Sequence, residues 1–267
     1  MMTQESPESK ALRQAPDEIA QIDIDKELVR AGDADYGIDA PETVRNLALG
    51  GLLAVAAGVI LRVQLGWTKA SIAVSCIGGY LLIVAGLLVL SSKVGKRREC
   101  DRLLDSLGLR GDERVLDAGC GRGLLLVGVA KRLTSGHAVG VDLWTKDQSG
   151  NSPDAAVANA RAEGVSDRVT VTSGDVQQLP FNDATFDVVV SNLVLDNLHS
   201  EEGWTRAVRE MARVLKPGGR VLVADLAQTD QYEATLREEG WNKVERSGLH
   251  FRIFPPVRIV TGSKPTR

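Results

Sequence analysis

Cysteine is scarce, and the few thiols are scattered. Cys76 lies in an apolar run, Cys100 follows a basic stretch and Cys120 sits inside a glycine motif. These positions offer no disulfide framework and no CxxC spacing, so a reducing compartment is the simplest reading. Histidine is equally thin: His137, His199 and His250 are too dispersed for a metal cluster, and no metal is expected. Positive charge is not in excess either. A formal net charge of −3 leaves no global basic field to hold a phosphate backbone, and no nucleic-acid partner is expected. The N-terminus lacks the basic segment and apolar core of a secretory signal.

Charge itself is missing from one long stretch. ASIAVSCIGGYLLIVAGLLVL, from Ala70 to Leu90, carries none, and LALGGLLAVAAGVIL, from Leu47 to Leu61, is extended past Arg62 by Val63, Leu65 and Trp67. A bilayer core about 30 Å thick needs roughly 20 helical residues. Arg62 can snorkel to an interface where Trp67 also sits comfortably. With a turn at Gly66, residues 43–92 are read as a transmembrane helical hairpin; a helical pair buried in a soluble core is the alternative. Gly50, Ala54 and Gly58, and likewise Ser71, Ser75 and Gly79, recur every four residues and suggest a close helix–helix approach. Lys93, Lys96, Arg97, Arg98 and Arg102 follow the second run, and Arg45 precedes the first. The positive-inside tendency then puts the N-terminus and the large C-terminal domain in the cytoplasm, as a two-pass membrane protein. Residues 1–42 read as a polar, loosely ordered arm with at most a short helix around Ile19, Ile22, Leu28 and Val29.

From residue 93 to 267 the pattern changes to short β-branched runs alternating with helical stretches, the mark of a parallel α/β sheet. Strands are expected near Arg114–Ala118, Ala138–Asp142, Val169–Thr172, Asp187–Ser191 and Arg220–Asp225, with Val244–Ser247 and Arg258–Thr261 closing the domain. The first strand runs into VLDAGCGRG, Val115 to Gly123, where alternate glycines bare the backbone of a strand-to-helix turn. Asp142 ends the second strand a little over twenty residues later, placed to accept from the hydroxyls of a ribose. Asp175 and Val176, in GDVQQLPF after the third strand, sit beside the same crevice.

This series resembles the class I S-adenosylmethionine-dependent methyltransferases over roughly Leu104 to Thr261. The matching residues are Asp117, Gly119, Gly121 and Gly123 in the first turn, Asp142, Asp175, the stretch FDVVVSNLVLDNL from Phe186 and the RVLKPGG of Arg213 to Gly219. The stretch GDVQQLPFNDATFDVVV looks most like members acting on small molecules, quinones and lipids. The resemblance implies a Rossmann-like seven-stranded sheet whose final strand inserts antiparallel, with S-adenosylmethionine as cofactor. It also implies that Gly119, Gly121 and Asp117 meet the methionyl part, Asp142 the ribose, Asp175 and Val176 the adenine, and Asn192 the junction of cofactor and substrate, with Leu143 among the cofactor-binding residues. Asp117, Asp175 and Asn192 as mere turn caps are the competing reading.

The polar connection LWTKDQSGNSPD, Leu143 to Asp154, is longer than the step from strand to helix needs. Trp144, Gln148 and Asn151 are candidates to wall the acceptor, and Asp147 to act as a base; a plain surface loop starting the next helix at Ser152–Pro153 is the alternative. His199 and Asp196, after the fourth strand, are further candidates for a base and for substrate contact. SNLV stands where a DPPY-like motif would mark methylation of nucleic-acid bases. A membrane-anchored enzyme acting on a lipid, quinone or hydrophobic thiol is therefore expected. A membrane-tethered oxidoreductase with a nucleotide cofactor, or a non-catalytic scaffold, are the rivals.

Overall fold

Two helices with almost no buried surface precede a sheet buried on both faces. The computed structural model describes residues 34–145 and 148–266. Helix α1, Pro41–Gln64, opens on a proline whose missing N–H is one the first turn leaves unused. Gly66, at φ +65°, turns the chain into α2, Thr68–Leu90. Mean hydropathy reaches 1.9 and 2.5 in the two helical segments, and only 11% of either apolar window is buried. By length and composition each can cross a membrane. They are not the core helices of the α/β domain.

The buried positions of the seam recur every seven residues, and the expected four-residue step holds only where Gly58 meets Ser71 and Ser75. Gly51 and Gly58 face Ser71, Gly78 and Ala85, the buried positions of the pair. A Cβ on Gly78 would lie 2.7 Å from the Gly51 carbonyl, and one on Gly58 2.2 Å from Ser75 Oγ. Gly79 has nothing within 4 Å, and Gly50 only Leu81 at 3.8 Å. A seam spaced at 3.5 residues per turn keeps one face of each helix against the other, which a four-residue step drifts away from.

A π-helical turn, Ser91–Gly95, carries α2 directly into α3, Lys96–Ser106. The amphipathic face of α3, with Leu103 and Leu104, is part of the core of the α/β domain. The hairpin is thus joined to the domain by continuous helix.

The remaining elements alternate: β1 Arg114–Ala118, α4 Leu124–Arg132, β2 His137–Asp142, α5 Pro153–Ala162, β3 Val169–Ser173, β4 Phe186–Asn192, α6 Glu201–Val214, β5 Leu215–Asp225, α7 Thr229–Glu238, β6 Lys243–Arg246 and β7 Arg258–Ser263. They build one seven-stranded sheet in the order β3-β2-β1-β4-β5-β7-β6. Only β7 is antiparallel to its neighbours, inserted between β5 and β6. Runs such as the VVV of β4 are apolar without alternation because both faces are covered. One face packs on α3, α4 and α5, the other on α6 and α7. Strand β5 begins earlier than its β-branched run suggests, since Leu215 already pairs with Phe186; Lys216–Gly219 then bulges out before the register resumes at Val188 and Arg220.

Strand order reverses between β1 and β4. In doubly wound sheets the crevice at the carboxyl ends of the strands beside that switch is where ligands bind. The end of the N-terminal arm closes over it. Residues 34–40, expected to be loose, form a strap. Asp35 N–H donates to Asn159 Oδ1 at 2.9 Å, Ile38 N–H to Ser149 Oγ at 2.8 Å, and Arg122 Nε to the Asp35 carbonyl at 2.7 Å. Those partners belong to the glycine turn, the loop after β2 and α5, so composition alone gave no sign of them.

Candidate functional site

The glycine turn after β1 depends on backbone that side chains disfavour. Gly119, Gly121 and Gly123 all sit at positive φ, of 82°, 50° and 83°, where only glycine is free of strain. At Gly119 a Cβ would stand 2.3 Å from Val194 Cγ2, so the turn and the residues after β4 enclose a narrow space. Leu193 reaches that arrangement through a left-handed φ of 58°, a strain that bulky residues adopt only where the surroundings fix it.

A cavity of about 370 Å³ opens there, lined by the glycine turn, the ends of β1, β2 and β4, and the strap. Its size lies in the range of small-molecule sites. What distinguishes it is its unmatched polar atoms. Both carboxylate oxygens of Asp117, Oδ1 of Asn151, Oδ1 of Asn192 and Oδ1 of Asp196 are buried without a hydrogen-bond partner. All five are acceptors, and all four residues line this cavity. Buried acceptors are costly unless met. The site therefore suits a ligand rich in donors and carrying positive charge.

Asp117 shows this most strongly. It is 2% exposed, and burial together with the nearby Asp142 carboxylate pushes its pKa up to about 8. An ammonium placed against it would reverse that effect.

Asp142 lines the cavity while organising it. Its Oδ2 accepts the Gly121 N–H at 2.8 Å and its Oδ1 the Trp144 N–H at 2.6 Å, with Asn151 Nδ2 at 3.4 Å. Leu143 stands at the mouth, 56% exposed. Gln148 ties three segments together: Oε1 accepts the Arg122 N–H at 3.0 Å, and Nε2 donates to the Tyr36 carbonyl at 3.0 Å and to Asp39 at 3.2 Å.

The structure brings Asp117, Gly119, Gly121, Asp142, Leu143, Val176, Asn192, Gln148, Asn151 and Asp196 around one cavity. Other expected residues lie elsewhere. Gly123 N-caps α4 at φ +83°, and a Cβ there would meet Ala156 only at an ordinary 3.5 Å, so it is the backbone turn that calls for glycine. Asp175 turns its carboxylate onto its own turn, accepting the Gln177 N–H at 2.8 Å, while Val176 reaches the cavity. Trp144 points away, its indole N–H donating to Ser173 Oγ at 2.8 Å. His199 is exposed just before Ser200, which caps α6, and does not line the cavity. Asp147 lies outside the described residues.

Sequence reasoning missed three contributions. Lys96, only 3% exposed, lines the cavity and donates to the Tyr36 carbonyl and Asp39 Oδ1, both at 2.9 Å. Burial draws its pKa down against the pull of Asp39. Asp39 and Ala40 reach the lining only through the strap. Asp225, fully buried at the end of β5, adjoins the Asp196 carboxyl. Its Oδ2 accepts the N–H groups of Leu195 and Asp196, each at 3.1 Å, and faces the Tyr232 hydroxyl at 3.3 Å. Burial and the neighbouring Asp196 raise the pKa of Asp225 well above the carboxylate range. Of the two, Asp196 stands toward the cavity. An aspartate closing the apolar run VLVAD was the one visible signal.

Comparison with known proteins agrees with this geometry. Residues 115–219 match the family described as "Methyltransferase domain". A 27-O-demethylrifamycin SV methyltransferase of Amycolatopsis mediterranei is 32% identical over 171 residues, covering 54% of this chain and 59% of that protein. A demethylmenaquinone methyltransferase of Lactobacillus johnsonii is 27% identical over 178 residues, covering 66% of this chain and 65% of that one. The chain spans little more than half the length of several such relatives. Among solved structures, the [4+2]-cyclase SpnF superposes with a TM-score of 0.53 at 22% identity over 64% of this chain and 81% of that one, a likeness of fold.

Proposed function

We propose that the class I S-adenosylmethionine-dependent methyltransferase domain of this chain methylates a small apolar acceptor delivered from a membrane. The observation carrying the cofactor half is the set of five partnerless acceptor oxygens on four residues that line the cavity. The pyrophosphate of a dinucleotide would bring negative charge to Asp117, Asp142 and Asp196. A sulfonium with an α-ammonium brings the opposite.

The cofactor, when bound, supplies an electrophilic methyl group on a sulfur that leaves neutral. The chain's own task is then alignment and exclusion of water. Asp117 takes the ammonium, the bared backbone at Gly119 and Gly121 lies along the methionyl chain, and Lys96 is a cation at the cavity wall for its carboxylate. Asp142 meets the ribose, with Leu143 and Val176 against the adenine. Asn192 sits between the two substrates, and Asp196, backed by Asp225, takes the proton that an acceptor hydroxyl or thiol gives up. Leu193, Val194, Leu198 and Leu226 line the remaining wall, which favours an apolar acceptor such as a lipid, a quinone or a hydrophobic thiol. The names of the quinone- and rifamycin-modifying relatives point the same way.

We read the hairpin as membrane-embedded, with the α/β domain on the cytoplasmic side. Exposed Leu53, Val63, Tyr80 and Ile83 have no protein partner on their outward faces. Arg45 and the cations after α2 favour the cytoplasm, except that Lys96 is enclosed by the protein.

Calorimetric titration with S-adenosylhomocysteine and with NAD tests the cofactor half. Binding of the former alone is expected, lost in D142A; binding of NAD alone overturns the reading. Incubating the detergent-solubilised protein with methyl-labelled cofactor and a total lipid extract tests the acceptor. Label confined to water-soluble material rules out a membrane acceptor, and no transfer with intact cofactor binding favours a scaffold.

A further inference from the structure

Apolar side chains stand exposed on the α/β domain at one place that the cavity does not use. The loop between β6 and β7 presents Leu249 at 44%, Phe251 at 77% and Phe254 at 37% exposure. Two phenylalanines out of four in the whole chain are spent on this surface. Apolar area left exposed together on one loop invites association.

Where the loop is held decides what it meets. The Phe254 N–H donates to Ser91 Oγ at 2.8 Å. Ser91 is the residue after Leu90, the last of the uncharged run that α2 contains. One turn later, a Cβ on Gly95 would stand 2.4 Å from the Arg252 carbonyl, so the loop backbone lies directly on the π-helical turn. Further along, Nδ1 of His250 lies 2.8 Å from Oε1 of Glu99, a side chain buried completely in α3, and Arg252 Nε lies 3.7 Å from Oε2 of the same carboxylate. These contacts fix the level of the loop along the helix axis, against the end of the apolar run.

Two exposed arginines stand at the loop: Arg252 within it, and Arg102, whose Nη1 lies 3.4 Å from His250 Nδ1; Glu99 is turned inward and buried, and the exposed Asp101 is held by Arg132 at 3.3 Å. Aromatic and apolar tips flanked by arginine at the foot of an apolar helix match the headgroup layer of a bilayer, where rings settle at the boundary and cations meet anionic lipid.

We infer that the Leu249–Phe254 loop is a second membrane contact, inserting its phenylalanines into the anionic leaflet beside the foot of α2. The inference rests on the membrane reading of the hairpin. Together the helical connection and the loop hold the α/β domain at two points, so it cannot swing freely about the end of α2. The cavity, which the strap and Lys96 border, is then kept at the lipid surface.

Site-directed spin labelling of the full chain in phosphatidylcholine–phosphatidylglycerol vesicles tests it. Cys76 is replaced by serine, and one new cysteine is placed at Phe251, at Ile83 on the outward face of α2, or at exposed Asp183, just before β4 at the opposite end of the strands from the loop. Collision with oxygen, which concentrates in lipid, is compared with collision with a water-soluble nickel chelate. The F251C label is expected to shift toward the lipid signature of I83C and away from D183C, and to shift back when phosphatidylglycerol is omitted or in R102Q/R252Q. A water-exposed F251C label alongside a lipid-exposed I83C label overturns the loop contact while leaving the hairpin in the bilayer. A label at 251 shielded from both reagents also overturns it, by marking a protein partner. Water exposure at both 251 and 83 refutes the hairpin reading itself.

Discussion

Asp117 carries a conflict that the folded protein holds in place for its ligand. Its pKa of about 8 in the folded state lies far above the ordinary carboxyl value, so the native state binds more protons than the unfolded chain over the interval between them. Stability then falls as pH rises through that interval. D117N removes the liability. The variant is expected to be more stable than the wild type by about 1–3 kcal/mol at pH 8, with the gap narrowing as the pH falls toward 4, in thermal melts without cofactor. It should also lose cofactor affinity by at least about tenfold, since a neutral amide forfeits a charged contact worth roughly 1.5–3 kcal/mol. In the wild type, binding at pH 7 should release most of a proton. Calorimetry in buffers of different ionisation enthalpy measures that number, and zero release would contradict an ammonium against Asp117. Asp196 has a separate signature. D196N is expected to lower kcat by about 10²–10⁴ while leaving cofactor affinity within a few-fold, whereas D142A abolishes binding. Single-turnover rates at saturating cofactor distinguish the two.

The strap and the hairpin are where the structure exceeds what sequence made legible. Strand positions came through well, because β-branched runs between glycine and helix-cap signals report burial on two faces. That Asp117, Gly119, Gly121, Asp142 and Asn192 line one crevice was legible because each stands at the end of such a run. Asp175 stays off the cavity lining because its carboxylate accepts the Gln177 N–H of its own turn, a direction that position in a motif does not give. The strap was invisible, as its bonds are long-range pairs between polar residues with no periodicity. It depends on Gly37, at φ +69°, where a Cβ would lie 2.8 Å from the Ser149 carbonyl. G37V should cost about 1–2 kcal/mol, borne locally, so that limited proteolysis cuts residues 34–40 faster and cofactor affinity drops while the sheet stays folded. Q148A, which unpins the same strap, should give the same pattern. In the hairpin, G58L forces a side chain where Ser75 Oγ stands 2.2 Å away. It is expected to part the helices and lower the stability of the solubilised protein by about 1–3 kcal/mol, whereas G79L, which meets open space, should leave it unchanged.

At the scale of the molecule, one stretch of chain enters the hairpin from the lid of the cavity and another leaves it as core of the α/β domain. Asp39 and Ala40 border the cavity immediately before α1 begins, and Lys96 borders it as α3 begins. The two ends of the hairpin therefore converge on the same wall, where Lys96 and Asp39 pair at 2.9 Å. A change in tilt or separation of α1 and α2 moves that wall directly. On the proposed membrane reading of the hairpin, cofactor affinity is expected to differ between thin and thick bilayers, measured by titration of the protein reconstituted in lipids of different chain length, and Lys96→Met should reduce the difference.

Such coupling runs in both directions. If lipid thickness alters how tightly the adenosyl ligand is held, then filling the cavity must in turn bias the posture of the two helices. The salt bridge that closes the wall would thus let the bilayer sense whether the domain is loaded, and let the domain sense which bilayer it is in.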